Sequence, residues 1–178
     1  GYDPAGHFER QGQRIDYGDR DDLIALLKTG MICNHARVTK RADGWSESGE
    51  PTEAALIVAA LKAWLPPDES IARVSELSVN SKRKRLTVIV RAGESLTAHV
   101  KGAPETILAR CTTLRENGQD RPLTDSDQEN LDSAYKTMAA SGLRVLALAR
   151  RGIESPALLD EDKVENGLCL LGFVGIID

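Results

Sequence analysis

Apolar residues recur every three or four positions in several stretches of the chain, which is the spacing of a helix with one buried face. The first predicted helix covers residues 19–36 and carries Asp21 and Asp22 in its first turn, where acidic side chains suit the helix dipole. The second begins at Pro51 and ends before Pro66-Pro67. Further helical segments are predicted at residues 104–111, from the Thr124 cap to about residue 141, and, as a short acidic helix or loop, at 156–165.

Alternating or continuous apolar runs between these helices predict strands. They are expected at 6–17 as an edge hairpin, at 38–48 as a strand with a Gly-Trp-Ser loop, and at 71–78, 85–91, 95–101, 114–123, 143–150 and 168–177. Asn117-Gly118 marks a hairpin tip, and the strongly apolar run at 143–150 predicts a central strand. The pattern predicts an α+β fold, a mostly antiparallel twisted sheet flanked by helices.

Size and charge narrow the class of protein. The 178 residues, 41% of them hydrophobic, suit one domain with its own core, so residues 1–178 are predicted to be a single domain. A net charge of −4 argues against general nucleic-acid binding. No run approaches the roughly 20 apolar residues of a membrane span, and no signal peptide follows Gly1, so a soluble piece is expected.

Several reactive side chains have ordinary structural interpretations. Cys33, Cys111 and Cys169 lack close metal-ligand spacing, which favours reduced thiols in a cytosolic setting. Cys33 is interpreted as packing at a helix end, and His99 as a satisfied group rather than a ligand or base. The basic run at residues 82–85 is typical of a solvated strand end.

Lys101-Gly102-Ala103-Pro104-Glu105 follows an alternating strand and opens a helix. Strand alternation places Thr97, His99 and Lys101 on one face, away from the apolar row. A cation beside the free backbone N–H groups of a helix start suits an anion such as a phosphate, although the same pattern is common between a strand and a helix.

Three more segments accompany this turn, namely residues 49–56, 76–88 and 142–149. In this order the four segments resemble the nucleotide-binding domain of a P-type cation-transporting ATPase, most closely the calcium-pump-like branch. The resemblance extends from Tyr2 to Asp178. It implies the cytoplasmic domain of an integral membrane protein, with an ATP pocket that holds the adenine base as well as phosphates.

The resemblance also implies roles for individual residues. Glu53 corresponds to the glutamate that approaches the adenine amino group, and a carboxylate can accept that N–H. Lys84 and Lys101 correspond to two pocket lysines near the base and phosphates, and Arg144 to the arginine that reaches the phosphates. The implied nucleotide-binding residues are Glu53, Val79, Ser81, Lys84, Lys101, Gly102, Ala103 and Arg144. Gly102 and Ala103 are expected to leave room for the ligand.

Val79 departs from the family pattern, which places phenylalanine there. An aromatic ring stacked on a base contributes about 1–3 kcal/mol, and no aromatic residue close to Val79 in sequence replaces it. Weaker ATP binding than in a phenylalanine-bearing relative is therefore expected. Ser78, where proline is common, and Glu50, where aspartate is usual, are milder departures.

The family's phosphorylated Asp-Lys-Thr-Gly-Thr motif and its magnesium-binding Gly-Asp-Gly motif do not occur in the sequence. The resemblance places them in a separate phosphorylation domain, which would bind most of the Mg²⁺. The chain is therefore expected to be catalytically incomplete by itself. Its expected partners are ATP and the phosphorylation and actuator domains of the same parent chain, and the transported cation is not indicated.

Two other functions stay open. A non-catalytic interaction or regulatory module could keep this fold with weak or lost nucleotide binding, and Val79 is the feature that favours it. A self-contained kinase or hydrolase is disfavoured, because the sequence has no Walker loop and no carboxylate pair with metal spacing.

Overall fold

The structure, a computed structural model, describes residues 3–18, 20–154 and 160–177. The expectations for Tyr2, Asp19, residues 156–159 and Asp178 lie outside these ranges. The helices are α1 (Asp21–Ile32), α2 (Pro51–Lys62), α3 (Pro104–Leu108), α4 (Asp125–Ala140) and α5 (Glu161–Val164). The strands are β1 (Phe8–Arg10), β2 (Gln13–Ile15), β3 (Arg37–Arg41), β4 (Gly44–Ser48), β5 (Ile71–Leu77), β6 (Arg85–Ala92), β7 (Ser95–Gly102), β8 (Cys111–Glu116), β9 (Gln119–Pro122), β10 (Arg144–Ile153) and β11 (Leu168–Ile176).

Seven strands form the main sheet in the order β5-β6-β7-β10-β11-β8-β9. Neighbouring strands are antiparallel except β11 and β8, which run parallel. This arrangement confirms the predicted α+β fold with a mostly antiparallel sheet. The central position of β10 is also confirmed, and its residues Ala147, Leu148 and Ala149 are at most 1% exposed. A continuous apolar run is what a strand covered on both faces requires.

Helices cover both faces of this sheet. On one face Cys33, at the end of α1, packs with Leu86 and Val88 of β6. On the other face Ile107 and Leu108 of α3 pack with Val100 of β7 and with β10. Val100 lies opposite Thr87 in the register, so it points away from the face that carries Val88. The N-terminal ends of α2 and α3 lie near the same end of the sheet, where they help to line a cavity.

Two expectations are corrected. The predicted edge hairpin is β1 paired with β2, and it forms a two-stranded sheet of its own rather than an edge of the main sheet. The expected Gly-Trp-Ser loop is strand β4, which pairs with β3 and sets Trp45 opposite Lys40. The mainly polar composition of β4 hides the strand signal, since both of its faces are largely outside the core.

Candidate functional site

A cavity of about 510 Å³ lies where the start of β6, the end of β7 and the start of β10 meet. Antiparallel pairing brings these ends together, because Gly102 lies opposite both Arg85 and Ala147. The volume is within the range of small-ligand sites. Its lining includes Glu53, Val79, Lys84, Lys101, Gly102, Ala103 and Arg144, which leaves out only Ser81 among the residues predicted from sequence.

Glu53 and Lys101 form an ion pair at the wall of this cavity. Lys101 Nζ donates to Glu53 Oε1 at 2.6 Å, and both side chains are at most 10% exposed. Burial disfavours the charged carboxylate, but the hydrogen bonds from Lys101 and from the His35 backbone N–H outweigh burial and lower the pKa of Glu53. Glu53 is therefore ionised at neutral pH and fixes the position of the Lys101 ammonium.

Asn34 and His35 support Glu53, a role that sequence reasoning missed. Asn34 Nδ2 donates to the Glu53 backbone carbonyl at 2.8 Å, and the His35 backbone N–H donates to Glu53 Oε2 at 2.9 Å. These residues follow the end of α1, which packs against α2, and no local spacing links them to Glu53 in the sequence. The neighbouring Cys33 is fully buried at that helix end, which confirms its interpretation as packing.

Lys84 reaches the cavity from the loop between β5 and β6. Its φ of +51° is in the left-handed region, which costs a residue with a side chain about 1 kcal/mol. The strand end opposite holds this turn, since Ala103 N–H donates to Lys84 O at 3.0 Å. The side chain is 59% exposed, and its Nζ lies 3.9 Å from Glu105 Oε1. Val79, on the same loop, is 62% exposed, whereas Ser81 lies in the turn outside the cavity lining.

Gly102 is required by a close approach of two strands. A Cβ at this position would lie 2.5 Å from Lys84 O and 2.8 Å from Arg85 Cα. The obstacle is therefore the backbone of β6 and its preceding loop. The sequence analysis expected Gly102 to leave room for a ligand. The structure corrects this expectation, because the missing side chain first makes room for the backbone of Lys84 and Arg85.

Arg144 lies at the start of β10 and approaches the first turn of α2. Its Nη1 donates to Thr52 Oγ1 at 2.9 Å and to Glu50 Oε1 at 3.3 Å. The Arg144 and Glu50 side chains are 50% and 57% exposed, so water screens this pair more than the buried pair of Lys101 and Glu53. The Arg144 guanidinium thus lies beside a helix N-terminus, where an anion would meet free N–H groups as well.

The basic run at residues 82–85 is only half solvated, which corrects the expectation of a solvated strand end. Lys82 and Lys84 are exposed, whereas Arg83 and Arg85 are buried at 8% and 5% exposure. Both guanidiniums contact the carboxylate of Glu165, which is fully buried. No local sequence pattern indicates this cluster, because Glu165 is about 80 residues away along the chain.

The buried side chains of His99, Cys33 and Cys111 have structural roles. His99 Nδ1 lies 2.7 Å from Thr29 Oγ1, and burial with the nearby Arg150 lowers its pKa to about 4. This geometry confirms His99 as a satisfied core group. Burial raises the pKa values of the Cys33 and Cys111 thiols to about 12, which makes them poor nucleophiles at neutral pH. Within the described ranges, no group of three or more His, Cys, Asp or Glu side chains could hold a metal ion.

Sequence comparison identifies the family. The family model described as P-type ATPase, cytoplasmic domain N, matches residues 22–178. The chain belongs to the P-type ATPase family. This P-type ATPase chain is 33% identical to the cation-transporting ATPase pma1 of Synechocystis sp. and 30% identical to a calcium-transporting ATPase of Bacillus subtilis, and in both comparisons all of the chain is covered. It is 37% identical, over 89% of its length, to the sodium/potassium exporting P-type ATPase cta3 of Schizosaccharomyces pombe.

These relatives confirm the resemblance to the nucleotide-binding domain of a calcium-pump-like P-type ATPase. The P-type ATPase chain spans 20% of the length of the Synechocystis and Bacillus relatives and 16% of the Schizosaccharomyces relative. Among the described residues, none of the helices has the length and apolarity that crossing a bilayer demands.

Proposed function

We propose that this chain is the ATP-binding domain of a P-type cation-transporting ATPase, with residues 1–178 forming one domain. It would hold the adenine nucleotide and present the γ-phosphate to the aspartate of a separate phosphorylation domain. One observation carries this proposal. Glu53, Val79, Lys84, Lys101 and Arg144 come from separate elements and line the same cavity of about 510 Å³.

The buried end of the cavity suits the adenine base. Each carboxylate oxygen of Glu53 already accepts one hydrogen bond, from Lys101 or from the His35 backbone. A carboxylate has about four lone-pair sites, so Glu53 can still accept the adenine amino group. Lys101 keeps this carboxylate ionised and correctly placed. The Lys101 ammonium is therefore proposed to act at the base end, with its charge balanced by Glu53.

The exposed end of the cavity suits the phosphates. Lys84 and Arg144 are both at least half exposed, and Glu105 and Glu50, the carboxylates described in contact with them, are exposed as well. Such surface pairs contribute about 0–1 kcal/mol, so a phosphate can replace the carboxylate at small cost. Arg144 offers a planar fork of donors and Lys84 a mobile point charge. Together they are proposed to orient the phosphate chain.

In the parent protein, closure of the two domains would bring the γ-phosphate onto the aspartate of the phosphorylation domain. The aspartate oxygen would attack phosphorus and ADP would leave, which forms an aspartyl phosphate that powers cation transport. Mg²⁺ would be bound mainly by that other domain. The chain described here contributes binding and orientation of the nucleotide and supplies no nucleophile to this reaction.

Calorimetric titration of ATP without magnesium tests the proposal. The wild-type chain should bind saturably, and Arg144→Ala should weaken binding about tenfold or more, because a charged hydrogen bond contributes about 1.5–3 kcal/mol. Arg41→Ala is the matched control, since Arg41 is an exposed arginine of β3 outside the cavity lining, and its affinity should be unchanged. A flat response at millimolar ATP from a folded chain would favour the interaction module instead.

A further inference from the structure

The loop at residues 78–84 has an ordered internal framework. Asn80 Oδ1 accepts hydrogen bonds from the backbone N–H groups of Lys82 and Arg83, at 3.0 and 2.8 Å. Lys84 N–H donates to Asn80 O at 2.8 Å, which closes the turn. These bonds define the shape of the loop. They do not by themselves set its orientation relative to the cavity, because all of them lie within the loop.

Arg83 and Arg85, on either side of Lys84, both anchor the loop to Glu165. Arg83 Nη1 donates to Ser78 O, and Arg85 Nη1 donates to Arg83 O at 3.0 Å. Both guanidiniums then contact one carboxylate, that of Glu165, with Arg85 Nε donating to Glu165 Oε2 at 2.6 Å. Lys84 lies between these two anchored residues and lines the cavity, as does Arg85 beside it.

Glu165 is the hub of this cluster. It directly follows α5 and has no exposed surface. Besides the two arginines, Thr87 Oγ1 of β6 donates to Glu165 Oε1. One carboxylate therefore connects the loop to the start of β6. It contacts Arg83 in the loop and Arg85 and Thr87 in the strand.

The cluster pairs two buried guanidiniums with one buried carboxylate. Glu161 Oε1 lies 3.4 Å from Arg83 Nε, but Glu161 is half exposed and that N–H makes no hydrogen bond to it. A buried carboxylate with hydrogen bonds on both oxygens holds its partners rigidly, because breaking any one contact leaves a buried charge uncompensated. The cluster is thus suited to positioning the residues around it.

We propose that Glu165 is a positioning residue of the nucleotide site, which acts on the nucleotide through Lys84. Its carboxylate holds Arg83 and Arg85 in place, and this fixes the backbone of Lys84 at the edge of the cavity. The inference rests on the proposed function, since it concerns the same ATP site. It adds a residue that lies outside the cavity lining and in a distant part of the sequence.

A calorimetric ATP titration of Glu165→Gln tests this role. Glutamine keeps the size of the side chain but removes the charge that holds both arginines, so ATP affinity should fall about tenfold. Glu161→Gln is the matched control, because Glu161 contacts the same Arg83 but is 50% exposed, and its affinity should stay within about twofold of wild type. In a Lys84→Ala background, Glu165→Gln should have less than about a twofold effect.

Amide NMR of the ATP-free chain reports directly on the position of Lys84. The Ala103 N–H bonds to Lys84 O, so its signal should shift in Glu165→Gln and stay in place in Glu161→Gln. If Glu165→Gln does not fold, Arg83→Met/Glu165→Gln removes one charge of each sign and should fold with the same loss of affinity.

The outcomes separate this inference from the proposed function. A wild-type chain that binds ATP, together with a folded Glu165→Gln that binds equally well, overturns the positioning role alone. It is also overturned if Glu165→Gln lowers ATP affinity as much in the Lys84→Ala background as in wild type, or if the Ala103 amide signal does not shift in Glu165→Gln. A folded wild-type chain that does not bind ATP overturns the proposed function and this inference together.

Discussion

At the scale of single residues, the structure divides the cations of the cavity into two kinds. Lys101 is buried and bonded to Glu53 at 2.6 Å, whereas Lys84 and Arg144 are at least half exposed. The family resemblance implies that all three are cations near a nucleotide. Burial of Lys101 depends on its contact with Glu53, 48 residues away along the chain, which no local pattern encodes, so the buried ion pair could not be predicted.

Lys101→Met should destabilise the chain strongly, by about 3 kcal/mol, because it leaves the Glu53 carboxylate buried without its partner. Lys101→Met/Glu53→Gln should recover most of that loss. Since the pKa of Glu53 is lowered on folding, the stabilisation by this pair is present at neutral pH and is lost as pH falls below the ordinary value of 4.5. Urea unfolding of both variants checks this, and a loss under about 1 kcal/mol for Lys101→Met would contradict it.

Val79→Phe should tighten ATP binding by about 5- to 150-fold, which corresponds to about 1–3 kcal/mol of stacking. Val79 lines the cavity and is 62% exposed, so a larger ring can be accommodated beside the base. Competition between ATP and a fluorescent analogue measures the change. Val74→Phe is the control, since Val74 is a 40% exposed valine of β5 outside the cavity lining. Equal affinity in Val79→Phe and wild type would show that the base binds elsewhere.

His99 should make stability depend on pH between about 6.5 and 4. Burial and the positive charge of Arg150 lower its pKa from 6.5 to about 4, so the unfolded chain takes up a proton in this window before the folded chain does. Stability is therefore full above about pH 6.5, and about 3 kcal/mol of it is lost as pH falls to about 4. His99→Asn should remove this component from urea unfolding curves measured across the window. If the free energy of unfolding changes with pH equally in wild type and His99→Asn, the assignment is contradicted.

At the scale of elements, most segments follow from local rules. Thr124 caps α4 as its sequence predicts, and the structure adds a capping box, in which Thr124 and Asp127 bond reciprocally. Asn117 and Gly118 form the predicted hairpin tip with φ values of 51° and 77°. Strand β4 was missed because its side chains are mainly polar and pack little, so apolar periodicity could not reveal it.

Gly102→Ala should destabilise the pairing of β6 with β7. The new Cβ would collide with the backbone of Lys84 and Arg85, at a cost of about 1–3 kcal/mol. Gly152→Ala is the matched control, because Gly152 lies in the same sheet and a Cβ there meets nothing within 4 Å. Urea unfolding should separate the two variants by more than about 1 kcal/mol. Equal stabilities would show that the strands can separate locally without loss.

At the scale of the whole molecule, the fold class and the cavity could be predicted, but the hydrogen bonds that hold the cavity residues in place could not. The α+β class follows from periodicity, and the family resemblance names seven of the residues that line the cavity. The bonds from Asn34 and His35 to Glu53, and from Arg83 and Arg85 to Glu165, join parts of the chain that are distant in sequence. Such contacts follow from tertiary packing, which a single sequence does not display.

Backbone NMR of the wild-type chain during an ATP titration tests the central claim most directly. The account predicts saturable shifts that cluster at Glu53, Lys84, Gly102 and Arg144, around the cavity of about 510 Å³. A second cavity, of about 600 Å³, is lined by Trp45 and Trp64 at the far end of α2 and provides an internal comparison. Shifts centred on the two tryptophans, or no shifts at millimolar ATP from a folded chain, would contradict the account.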